Sequence, residues 1–112
     1  MKSIKLNELK SHDVYEFCYA ENYPNHWNEN SIFFDSDDFI NLQPFLNKLF
    51  YNYHYYGPQK IKLSQWEKIK ILIQDNNFSN YEEKLYFKKF IETVETWLYK
   101  NKKHDYFWIL GI

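Results

Sequence analysis

Few residues in this chain have side chains suited to chemistry. Four histidines stand at His12, His26, His54 and His104. Two imidazoles titrating near neutral pH can act as acid and base, as in ribonucleases. Their spacing places no pair on one helical face, and each lies beside aromatic or loop residues, where a surface or hydrogen-bonded histidine is the ordinary outcome. Cys18 is the sole cysteine, so it makes no internal disulfide. A catalytic thiolate needs positive surroundings. Cys18 instead has Glu16 and Glu21 nearby and Phe17 and Tyr19 beside it, a pattern that predicts a buried structural cysteine. Asp35, Asp37 and Asp38 resemble the alternating carboxylates of a calcium loop. No glycine follows them and the distal glutamate is missing, so they read better as the first turn of a helix. There is no Cys-x-x-Cys pair for zinc, and Gly57 and Gly111 are too isolated to cradle a phosphate. These residues predict no catalytic machinery, no cofactor and no metal.

Two features point instead to a partner. All 14 basic residues are lysines, and the absence of arginine argues against sequence-specific reading of DNA. From Ser11 to Asn47 there is no lysine, while Asp13, Glu16, Glu21, Glu29, Asp35, Asp37 and Asp38 give the segment a charge of -7. Residues 51–112 carry +3. One reading is a solvated polar surface. The other is an acidic face that steers a basic partner. The second feature is Tyr51-Asn52-Tyr53-His54-Tyr55-Tyr56. Such a cluster serves core packing, a protein interface or base stacking.

The elements that must position these residues are read from periodicity. Leu85, Phe87, Phe90, Ile91, Val94, Trp97 and Leu98 recur at helical spacing, and Ser79 with Glu82, or Asn80 with Glu83, offers a capping box. This predicts a helix over 80–103. A second helix starts at Ser64, with Ser64-Gln65-Trp66-Glu67 as its cap and Trp66, Ile69, Leu72 and Ile73 as its face. A third region opens at Asp35 and continues through Phe39, Leu42, Leu46, Leu49, Phe50 and Tyr53, with Pro44 forcing a kink or two short helices. Ser11 caps a first helix in which Val14, Phe17 and Cys18 share a face. Residues 21–30 read as a loop. Tyr106–Ile112 reads as an extended tail on the helices, or an edge strand.

The chain has 112 residues, which suits one domain, 1–112, with one core. Aromatics at 22 % give that core ample material. With only 2 Gly and 3 Pro, an all-β sandwich with many tight turns is disfavoured. No run approaches the roughly 18 apolar residues of a membrane-spanning helix, and the N-terminus lacks the apolar stretch of a secretory signal. The expected fold is therefore mostly α: four or five helices with an extended C-terminal tail, in the cytoplasm.

The order Phe33-Phe34, Asp38-Phe39, Leu42, Pro44-Phe45-Leu46, Leu49-Phe50, Tyr55-Tyr56-Gly57-Pro58-x-Lys60-Ile61 and Trp66, closing on Trp108-Ile109-Leu110-Gly111-Ile112, resembles bacterial immunity proteins of contact-dependent growth inhibition and related polymorphic toxin systems. The resemblance spans roughly residues 33–73 and the tail, and rests on apolar and turn positions. It implies an inhibitor that binds a cognate nuclease toxin domain, an RNase by preference, in a 1:1 complex that covers its active site. The acidic segment and the tyrosine turn supply the expected interface: Glu29, Asp35, Asp37, Asp38, Tyr53, Tyr55 and Tyr56. The alternatives are a small nucleic-acid-binding regulator that uses the lysines of the second half, and a small hydrolase that uses two histidines.

Overall fold

A computed structural model of the chain describes residues 3–9, 13–19, 25, 27–50, 58–100 and 105–111. The described residues form four strands and four helices. Strand β1 is Val14–Cys18, β2 is Ile32–Asp35, β3 is Gln59–Lys62 and β4 is Tyr106–Leu110. Helix α1 is Ser36–Phe39, α2 is Gln43–Leu49, α3 is Leu63–Gln74 and α4 is Tyr81–Lys100. The strands make one antiparallel sheet in the order β2-β1-β4-β3. The expectation of a mostly α fold is thereby overturned: the architecture is a sheet with helices packed on one face.

The largest correction is at β1. Val14, Phe17 and Cys18 do not share a helical face. Val-Tyr-Glu-Phe-Cys is a strand whose five residues are all buried. Successive strand side chains alternate between faces, so Tyr15 and Phe17 point to the helices while Val14, Glu16 and Cys18 point away. Tyr15 and Phe17 belong to the main core, whereas Val14 and Cys18 are buried outside it. A strand covered on both faces loses its alternation of apolar and polar residues, and that hides its period. Preceding it, Leu6–Glu8 form only a 3-10 turn, and Ile4 bridges to Phe33.

The C-terminal segment is a strand, one of its two expected forms, but it is an internal strand and not an edge. β4 lies inside the sheet, with Phe17 opposite Ile109 on one side and Ile61 opposite Phe107 on the other. Phe107 and Ile109 enter the core, joined there by Phe34 and Ile61. Phe17 sits at the centre, with Phe34 at 5.0 Å, Phe107 at 5.7 Å, and Phe39 and Phe90 at 6.3 Å between ring centroids.

The later helices follow their sequence signals. In α4, Phe87, Phe90, Val94, Trp97 and Leu98 are buried. Its cap is the second of the two alternatives: Asn80 Oδ1 accepts from the Glu83 amide at 2.7 Å. The cap of α3 lies two residues earlier than Ser64, where Gln65 Oε1 accepts from the Lys62 amide at 2.8 Å. Pro44 splits the third region into α1 and α2 and sits in the first turn of α2, where its missing N–H costs nothing. Helices α3 and α4 are clamped by Lys70, which pairs with Glu67 at 2.8 Å and with Glu95, while Trp66 Nε1 donates to Glu95 at 3.3 Å.

Candidate functional site

On the side of the sheet away from the helices, Glu16 is only 1 % exposed. A buried carboxylate is costly unless its oxygens are hydrogen-bonded. Here one chain segment supplies the donors. The Trp27 amide donates to Oε1 at 2.7 Å. The Asn28 amide, the Asn28 Nδ2 and the Ser31 Oγ donate to Oε2 at 2.9, 2.8 and 2.6 Å. Charge-assisted bonds of this kind are roughly twice as strong as neutral ones. Glu16 therefore ties the segment entering β2 to the middle of the sheet.

That tie holds a strained residue. Trp27 has φ of 69°, in the left-handed region that a bulky side chain rarely adopts. Its indole stacks on Phe33 with centroids 6.0 Å apart and planes at 20°, yet remains 40 % exposed. Phe33 itself is fully buried.

The sequence-predicted acids fall into two places. Asp35 and Asp37 are exposed where β2 runs into α1. Asp38 is half-buried and accepts from the Tyr86 hydroxyl at 2.9 Å, which joins α1 to α4. Glu29 is exposed at the other end of β2. It lines an open groove of about 710 Å³ between that end and α4, where Lys5, Lys89 and Lys100 face Glu29 and Glu92. The structure thus groups Asp35, Asp37 and Asp38 and sets Glu29 apart from them. Tyr53, Tyr55 and Tyr56 lie outside the described residues, as do all four histidines.

Cys18 is fully buried, and burial, with the nearby Glu16 charge, pushes its thiol up to about 12. A thiol held protonated is no nucleophile at neutral pH. Among the described residues no group of three His, Cys, Asp or Glu could hold a metal ion.

The sheet edges are blunted. At β2, Ile4 exchanges both backbone bonds with Phe33, at 2.8 and 2.9 Å. At β3, the Gln59 side-chain amide donates to the Lys60 carbonyl at 3.0 Å, and the Lys62 amide is taken by Gln65. Such edges do not invite an added strand. Sequence reasoning missed Glu16 and Trp27. The available signal was an acid inside an aromatic run, which in a buried strand must find donors, and a tryptophan inside an asparagine-rich loop. Compared with protein-family models, with curated proteins and with solved structures, the chain matches none.

Proposed function

We propose that the chain is an immunity protein that binds a cognate basic nuclease toxin domain, an RNase by preference, and blocks its active site in the cytoplasm. The observation that carries this reading is the placement of Asp35 and Asp37, exposed together at the end of β2 in a segment without lysine. A nuclease must be positive where it grips phosphates, so an exposed acidic surface competes for that region. The resemblance to immunity proteins supports the same reading.

Asp38 is best left intact in a test, because its bond to Tyr86 serves packing. Reversal of the other two, Asp35→Lys with Asp37→Lys, is expected to slow association and weaken the complex by about tenfold or more at low salt. Unchanged affinity and unchanged protection of cells, with the fold intact, would rule out this surface. A second reading, a nucleic-acid-binding regulator, draws on Lys60 and Lys62 beside Tyr106 in β3 and β4, where the Lys60 ammonium lies 4.0 Å from the Tyr106 ring centroid. Salt-sensitive binding of the isolated chain to RNA or DNA would favour it.

A further inference from the structure

We infer that Trp27 is the aromatic anchor of the partner-binding surface, seated by Glu16 and aimed at a cationic side chain on a basic protein domain. The inference rests on the immunity reading and names the residue through which that complex is held. Four observations converge on it. The indole is large and 40 % exposed, and it lies flat on the buried Phe33 ring. Its backbone is held in the left-handed region, a conformation that persists only where surrounding bonds enforce it and that clusters at binding sites. The enforcing group is a buried carboxylate that receives four hydrogen bonds from residues 27, 28 and 31. An acid also lies along the strand from the ring. Asp35 is two residues beyond Phe33, on the same side of β2 by strand alternation, and is exposed, whereas Glu29 faces the groove that holds Lys5, Lys89 and Lys100.

An aromatic pre-set in this way loses little entropy on binding, and tryptophan is the residue type most enriched among those that dominate interface energies. Its ring quadrupole attracts guanidinium and ammonium groups, and the exposed Asp35 carboxylate extends the same preference. A basic domain presenting an arginine or lysine beside a shallow apolar recess fits this surface. An acidic or purely apolar partner does not.

The test uses the full chain and, as the probe, a purified basic RNase toxin domain chosen as the candidate partner. In a titration followed by NMR, the Trp27 indole N–H resonance, assigned with Trp27→Phe, is expected to shift or broaden at saturation. That of Trp66, buried on the helix side of the sheet, is expected to stay in place. Trp27→Ala is expected to weaken the complex at least about 30-fold, with the thermal unfolding midpoint recorded alongside. An unmoved Trp27 resonance in a saturated complex, or a folded Trp27→Ala protein within twofold of the parent affinity, overturns the inference while the immunity reading stands. Should the parent chain neither bind nor neutralise that toxin domain, both fall together.

Discussion

Glu16 occupies a position that strands normally fill with an apolar side chain. It sits opposite Phe33 and Leu110, the central residue of β1. Among the described residues its two oxygens accept from three N–H groups and one hydroxyl. Glu16→Gln keeps the shape but turns an NH2 group toward those donors. The expected loss is about 2–4 kcal/mol of folding stability, measured by urea unfolding, because a buried donor is left without an acceptor. The Trp27 and Asn28 amides should then exchange with solvent much faster. Unchanged protection of those two amides would show that Glu16 does not hold the segment. At this scale little of the site was legible beforehand. The residues singled out by type were the exposed acids. The carboxylate with the most contacts was hidden inside the word Val-Tyr-Glu-Phe-Cys, since its donors are 11 to 15 residues away.

At the scale of elements, legibility follows locality. Helix α4 is written in its own residues, by a stripe at spacings of three and four and by an asparagine cap. Helices α1 and α2 are likewise announced by Pro44. The strands are not, apart from the strand alternative at the C-terminus, because each is four or five residues long and its partners are remote: β4 pairs with β1, some 92 residues earlier, through Phe17 and Ile109. The position of β4 makes a sharp prediction. A chain ending after Asn101 loses the strand that joins β1 to β3. It should lose cooperative unfolding and near-UV signal, not merely a few tenths of a kcal/mol as for a trimmed tail. Retention of a sharp thermal transition would mean that the helices hold the fold without the central strand. Within the helical layer, Glu95→Ala removes the acceptor shared by Lys70 and Trp66, and is expected to cost about 1–3 kcal/mol by chemical denaturation. No change there would place the α3–α4 contact in apolar packing alone.

For the molecule as a whole, four titratable groups among the described residues are shifted by their surroundings, and all in the same direction. Burial raises Cys18 to about 12, and burial raises Tyr19 to about 12. Burial and the Asp38 carboxylate raise Tyr86 to about 12, against the opposing bond from Asn41. Burial lowers Lys70, but its bonds to Glu67 and Glu95 outweigh that and hold it above its ordinary value. A group whose pKa is higher folded than unfolded stabilises fully below the unfolded value, and that contribution disappears as pH climbs through the folded one. The unfolded values here start at 9.0 for the thiol and 10.0 for the phenols. The expected outcome is a stability plateau up to about pH 9 and a steep fall between pH 9 and pH 12, followed by urea midpoints across that range. Cys18→Ala should shift the onset of the fall upward. A profile flat to pH 12 would contradict the burial of these groups.

The chain on its own determined that a single aromatic-rich core would form, that lysine would be kept out of one third of its length, and that two long amphipathic helices would cover something. Those properties are carried by composition and by spacings of three and four, which any short window contains. What the helices cover was decided only in three dimensions. The sheet exists because β1, β2, β3 and β4 meet across long sequence separations, and β1 is buried on both faces because each face is covered. Tertiary structure also sorted the acids: Glu16 went inside to hold Trp27, Asp38 was joined to Tyr86, and Asp35 and Asp37 stayed in water. The physical reason is the same in each case. A carboxylate's role depends on which donors reach it, and those donors come from elsewhere in the fold.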